Sequence, residues 1–220
     1  GLFTSIAYYG AGNLGISYYD ATNGDLRFWS SGGAVAVDTT GDVGRYTSLA
    51  FNSQGYARIS YYDANNGNLK YVAYAAAGWG TPEVVDSIGD VGRYASLALQ
   101  TGGPYVGWPA IAYYDVTNGN LKYAAAGIEP KRGIANPDTY WAIETVDTLG
   151  DTGQWTRLVF DSQGWPHIVY SANGGANLKY AWKGPGGWHY DVVDVNTLGQ
   201  SSLVLDSLDH PHVSYWKNHQ

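Results

Sequence analysis

Residues 60–71 read SYYDANNGNLKY. Close copies stand at 17–28 (SYYDATNGDLRF) and 112–123 (AYYDVTNGNLKY). A weaker copy, VYSANGGANLKY, covers 169–180, and SYWKNHQ at 214–220 starts the same way. Either an acidic, aromatic binding loop is repeated or a structural unit is. The spacing decides. Tyr18, Tyr61, Tyr113 and Tyr170 each precede Leu26, Leu69, Leu121 and Leu178 by eight residues. Ile6, Leu49, Leu158 and Leu203 precede Tyr18, Tyr61, Tyr170 and Tyr215 by twelve. Leu97 precedes Tyr113 by sixteen, because residues 101–108 (TGGPYVGW) are inserted. Spacing this constant inside units that are 43 to 61 residues apart marks an internal repeat.

Each unit reads as four short strands. In the second they are A (48–52, SLAFN), B (57–63, ARISYYD), C (68–74, NLKYVAY) and D (83–87, EVVDS), and the linker 89–94 opens the next unit. An Asn-Gly pair between strand-like runs is a hairpin signal, since both residues tolerate positive φ. No segment has helical periodicity. Four antiparallel strands repeated in this way form the blade of a β-propeller. The sequence therefore predicts an all-β, single-domain, five-bladed propeller over residues 1–220. Four blades are complete (about 5–38, 48–86, 96–147 and 157–194) and the fifth is incomplete (202–216). An unpaired strand B is costly if buried and adhesive if exposed. A neighbouring chain is expected to supply the missing strands, or the natural polypeptide is expected to be longer.

Composition narrows the partners. Among 220 residues there are 30 Gly, 20 Tyr and 9 Trp, but only 4 Phe. The net charge is −7, and the 12 Lys and Arg form no cluster, which argues against nucleic acid or an anionic membrane as partner. No apolar run approaches the roughly 20 residues of a membrane span. Cys and Met are absent, so neither disulfide nor thiolate chemistry is available. A processed or trimmed, extracellular protein is expected.

In a propeller the B–C turns and D–A linkers share one face, and the A–B and C–D loops share the other. The strings beginning at Asp20, Asp63 and Asp115 faintly resemble a calcium loop, but their ligand order is not that of an EF-hand. An Asx turn closing a hairpin is the favoured reading. The linkers carry Asp42, Arg45 and Tyr46; Asp90, Arg93 and Tyr94; and Asp151, Gln154 and Trp155. The structural expectation is that each Arg pairs with a strand-D carboxylate (Asp38, Asp86, Asp147 or Asp194) of the adjacent blade. The functional expectation is a set of equivalent inter-blade sites, where an aromatic platform and fixed polar groups bind sugar hydroxyls. On the opposite face, the third unit carries both the 101–108 insertion and the loop 127–141 (GIEPKRGIANPDTYW), with Lys131 and Arg132. These two loops are expected side by side, as a functional or interface region. Trp79, Trp141 and Trp188 are expected in blade packing.

Over nearly its whole length the chain resembles the tandem-repeat propellers of secreted bacterial proteins. In architecture alone it resembles five-bladed propeller lectins such as tachylectin-2. It carries neither the Trp-Asp arrangement of WD40 repeats nor the Ser-x-Asp-x-Gly-x-Thr-Trp box of sialidases. The resemblance implies a non-enzymatic, multivalent carbohydrate-binding module with no cofactor. The first alternative is an assembly protein that pairs with another copy of itself through Tyr215 and Trp216 of the open fifth blade. The second is a glycoside hydrolase or lyase, which would need two carboxylates in one cleft. His210-Pro-His212 is the only metal-like pair, short of the three or four ligands zinc takes, and no metal is expected.

Overall fold

The computed structural model describes residues 1–10, 12–127 and 140–217. Its strands pair in chain order into antiparallel sheets. Blade one contains β1 (Leu2–Tyr9), β2 (Asn13–Asp20), β3 (Asp25–Ser30) and β4 (Gly33–Asp38). Blade two contains β5 (Val43–Phe51), β6 (Ala57–Asp63), β7 (Asn68–Ala75) and β9 (Glu83–Asp86), with the two-residue β8 (Gly78–Trp79) also on β7. Blade three contains β10 (Val91–Leu99), β11 (Pro109–Asp115), β12 (Asn120–Gly127) and β13 (Tyr140–Asp147). Blade four contains β14 (Thr152–Phe160), β15 (Pro166–Ala172), β16 (Asn177–Gly184) and β17 (Gly187–Val195). Blade five has β18 (Thr197–Leu205) and β19 (Pro211–Lys217). This is an all-β, five-bladed propeller with a two-stranded fifth blade.

Two local expectations need correction. The residues read as linkers, such as 91–94, belong to strand A. β10 already pairs at Val91↔Asp115 and Arg93↔Tyr114, then slips to Ser96↔Ala112. The Gly and bulged residues at this slip look like loop in the sequence. Gly92 has φ +104°, and a Cβ there would lie 2.7 Å from the Leu69 Cα. Only glycine lets strand A come so close to the strand-C Leu of the preceding blade. The hairpin turn also differs from a two-residue Asn-Gly turn. Gly67 has φ +71°, Asn66 keeps a negative φ, and the Gly67 amide donates to the Asp63 carbonyl at 2.9 Å. The loop is therefore four residues long, 64–67. The Asp63 carboxylate accepts from the Asn65 and Asn66 amides (3.0 and 3.1 Å) and from Asn66 Nδ2 (2.9 Å). This is the Asx turn, with the carboxylate turned inward.

The repeated string can now be read residue by residue. Its Leu is core: Leu26, Leu69, Leu121 and Leu178 are buried. Its first Tyr and its Lys reach back to the preceding blade. Tyr61 Oη and Lys70 Nζ donate to Asp38 Oδ2 at 2.7 and 2.5 Å. Tyr113 and Lys122 do the same to Asp86, as Tyr170 and Lys179 do to Asp147. In blade five, whose described strands are β18 and β19, Lys217 of β19 takes the place of the strand-C Lys. It donates to both Asp194 oxygens at 2.7 and 2.8 Å, beside Tyr215 Oη at 2.7 Å. The strand-D carboxylates are thus occupied by Tyr and Lys, and the expected Arg partnership is overturned. The reason is reach: strand D ends against strands B and C of the next blade, while each Arg lies on strand A beside the Asp three residues before it.

The last aromatic of the string meets a Trp of the following blade edge-on. Phe28–Trp79, Tyr71–Trp141 and Tyr123–Trp188 have centroids 5.3, 5.2 and 5.3 Å apart. The expected blade-packing role of these Trp residues holds.

Candidate functional site

The linker residues separate into two groups. The polar members close on one another. Arg45 binds Asp42 at 2.6 Å, Arg93 binds Asp90 at 2.8 Å, and Gln154 Nε2 donates to Asp151 at 2.9 Å. The second Tyr of the string completes each group. Tyr62 Oη donates to Asp90 at 2.7 Å and Tyr114 Oη to Asp151 at 2.6 Å. The Arg45 and Arg93 guanidinium groups lie 5.3 Å from the ring centroids of Tyr19 and Tyr62. Burial and the Asp151 hydrogen bond push the Tyr114 phenol up to about 12. B–C turns clamp the linker from both sides: the Val91 amide bonds the Gly67 carbonyl, and the Val116 amide bonds the Asp90 carbonyl. These contacts make a face of regular, closed polar units.

The aromatic members point elsewhere, into the central channel. Phe3, Tyr46, Tyr94 and Trp155 occupy one equivalent position on β1, β5, β10 and β14. Their rings follow one another at 4.6, 4.8 and 4.9 Å between centroids. The arc ends on Gly199 of blade five, where a Cβ would come within 2.9 Å of the Trp155 ring. All four residues have φ between +50° and +54°, a conformation uncommon for bulky side chains. The bulge in strand A imposes it and turns each ring from the sheet into the channel. Together they line a cavity of about 450 Å³, shared with Arg157 and Gln200. Sequence reasoning found Tyr46, Tyr94 and Trp155 but placed them between blades, and it missed Phe3. The regular recurrence of Tyr two residues after Gly44 and Gly92 was the signal of a bulge.

A second cavity, of about 350 Å³, lies on the opposite face between blades one and two. Tyr9, Phe28, Phe51, Tyr74 and Trp79 form its aromatic walls, and Gly32, Gly33 and Gly55 leave part of it bare. Tyr9 and Phe51 are 4.3 Å apart, and Tyr74 and Trp79 are 5.3 Å apart. Sequence reasoning missed this cavity. Its residues come from seven strands and two turns, and no single motif contains them. Neither cavity has a carboxylate in its lining among the described residues.

The loop containing Lys131 and Arg132 lies outside the described residues. The 101–108 insertion leans on the A–B turn of blade four, with Thr101 Oγ1 donating to the Asp161 carbonyl at 2.6 Å. That turn in turn holds blade five, through Ser162 Oγ and Asp209 at 2.6 Å. His210 and His212 both contact Asp206 at 3.2 Å. Among the described residues there is no cluster of three metal-ligating side chains suited to an ion. Tyr215 and Trp216 are exposed on β19.

No protein-family model matches the sequence, and no curated protein is similar to it. Solved structures are similar in fold. AofleA from Arthrobotrys oligospora is 12% identical with a TM-score of 0.63, over 96% of this chain and 63% of that one. The fucose-specific lectin from Aleuria aurantia is 12% identical with a TM-score of 0.54, over 98% of this chain and 75% of that one. The intramolecular trans-sialidase from Ruminococcus gnavus is 13% identical with a TM-score of 0.51, over 92% of this chain and 45% of that one. This chain thus spans about 63% of the length of AofleA. These likenesses establish the β-propeller fold. No described helix is long and apolar enough to cross a membrane.

Proposed function

We propose that this protein is an extracellular, non-enzymatic carbohydrate-binding module that holds a neutral sugar in the aromatic cavity between blades one and two. The carrying observation is that cavity's wall of five aromatic side chains beside bare glycine. Sugar rings present C–H faces that pack on aromatic faces, while hydroxyls and backbone groups fix orientation. Tyr9, Tyr74, Ser30 and the 32–33 backbone supply the polar groups here. The fold of the Aleuria aurantia fucose-specific lectin supports the same reading. A lining without carboxylates favours binding over two-carboxylate hydrolysis. The repeated Asp–Arg–Tyr units of the other face act in this reading as blade joints, with lower-affinity sugar contact at their exposed edges.

A glycan array identifies the sugar, and Gly32→Leu tests the site. Gly32 does not have a positive φ, and the nearest atom to an added Cβ is Ser30 Oγ at 3.9 Å, so the new side chain fits the fold and fills the cavity. Affinity is expected to fall at least about tenfold with an unchanged melting temperature. Wild-type affinity in Gly32→Leu, or an array with no bound glycan, sinks the reading. A second reading, association with another copy through the edge of blade five, rests on exposed Tyr215 and Trp216. Sedimentation of Trp216→Ser against wild type tests it.

A further inference from the structure

The central channel contains a charge that the fold does not use. At one position of strand A a serine closes each blade onto the next. Ser5 Oγ accepts from the Leu49 amide, Ser48 Oγ from Leu97 and Ser96 Oγ from Leu158, all at 3.0 Å. Blade five also has serine here, Ser202, while blade four has Arg157. The other described cations are occupied. Arg27, Arg45, Lys70, Arg93, Lys122, Lys179, Lys183 and Lys217 have carboxylate partners, and Arg58 donates to the Ala57 and Tyr74 carbonyls. Among the described residues Arg157 has no carboxylate partner. Its Nη1 donates to the adjacent Thr156 carbonyl at 2.8 Å, leaving most of the guanidinium fork open to the channel.

The surroundings suit a ligand better than they suit a structural cation. The guanidinium is open to solvent through the channel, yet the walls desolvate it enough to pull its pKa below the ordinary value. Uncharged side chains make up the rest of the cavity lining. A partly desolvated cation with no local counter-charge attracts an anion far more strongly than one in bulk water. In a chain of net charge −7, this makes the channel a localised anion-selective point. The arc of Phe3, Tyr46, Tyr94 and Trp155 faces the same space, and a fork of guanidinium donors matches a carboxylate in two parallel bonds. The cavity of about 450 Å³ falls within the usual range for small ligands.

We infer that the central channel is a second binding site, selective for an acidic saccharide, in which Arg157 takes the carboxylate of a uronic acid and the aromatic arc packs on its ring. The inference rests on the carbohydrate-binding reading for its substrate class, but on different residues. Digalacturonate and its dimethyl ester, which has the same rings without the charge, are the probes. Calorimetry on wild type is expected to show the acid bound at least about tenfold more tightly than the ester, with the preference reduced in 0.5 M salt. Arg157→Ser restores the residue of the other blades and is expected to abolish the preference. Arg157→Lys, which retains charge but loses the fork, is expected to keep part of it. Gly32→Leu is expected to leave digalacturonate binding intact. Equal affinity for acid and ester, no binding of the acid, or an undiminished preference in Arg157→Ser overturns the inference. If Arg157→Ser does not fold, the wild-type acid–ester comparison and Arg157→Lys still decide. If neutral-sugar binding fails while digalacturonate binds, the inter-blade proposal falls and the channel site stands.

Discussion

Asp86 and Asp194 each end a strand D and each receive a Tyr hydroxyl and a Lys ammonium from the next blade, but their surroundings differ. The Asp86 side chain is 1% exposed and its partner Lys122 is 10% exposed; for Asp194 and Lys217 the figures are 17% and 42%. The same three residue types thus form a buried joint between blades two and three and an open one between blades four and five. Burial, rather than residue identity, decides what the joint contributes. A buried ion pair recovers little net energy when formed, because desolvation opposes it. Removing one partner is costly, because the other stays buried without compensation.

The largest effect is expected from Asp86→Ala, which leaves the Lys122 ammonium and the Tyr113 hydroxyl buried without an acceptor. Urea unfolding should show a loss of about 3–5 kcal/mol. Asp194→Ala should move the midpoint only slightly, since Lys217 regains water. Equal losses would show that exposure does not govern these joints.

Acid sharpens the same contrast. Burial pushes the Asp38 and Asp86 carboxyls up, but hydrogen bonds from Lys and Tyr outweigh it and leave both below the ordinary value. Because the folded pKa is lower than the unfolded value of about 3.9, their contribution is complete above that value. It is lost as pH falls through the depressed folded values, so stability should decline below about pH 4. Hydrogen bonds from Lys217, Tyr215 and the Val195 amide lower Asp194 to about 2. Its joint is open, so 0.5 M salt should erase its share of the acid slope and leave that of Asp86 largely intact. Denaturant midpoints from pH 2 to 6, at two salt concentrations, in wild type, Asp86→Asn and Asp194→Asn, check this. A slope that responds to salt equally in both variants breaks the contrast.

The buried and open joints were legible to different degrees. The eight-residue Tyr-to-Leu spacing carried the whole hairpin, because strand pairing is local and has period two. Trp79, Trp141 and Trp188 were readable because each stands six or seven residues before the strand-D Asp. Asp38 and its equivalents were visible as repeated acids, but their Tyr and Lys partners lie 23 and 32 residues further on, in the next blade. Blade-to-blade register is a tertiary fact that no local pattern encodes. Lys217 stood out as the residue replacing Asp in the last copy, yet only its contact with Asp194 of the preceding blade shows what it does. The aromatic arc was recognised in Tyr46, Tyr94 and Trp155 but not in Phe3, and it was misplaced in space, since a positive φ at Tyr46 or Tyr94 is set by the bulge rather than by side-chain preference.

That bulge yields the smallest expected effect. Tyr94 has φ +54° and lies between Tyr46 and Trp155, so truncation removes ring contacts and leaves the backbone strain in place. Tyr94→Ala and Tyr94→Gly lose the same contacts, but only glycine occupies the left-handed region without a Cβ penalty. Tyr94→Gly should therefore be more stable than Tyr94→Ala by about 1 kcal/mol, the reverse of the usual order inside a strand. Parallel urea titrations of the two variants measure the difference. Alanine as stable as glycine would mean that the chain relaxes its bulge once the ring is gone. The positive φ would then be imposed by ring stacking, and the arc, rather than the strand, would hold the channel in shape.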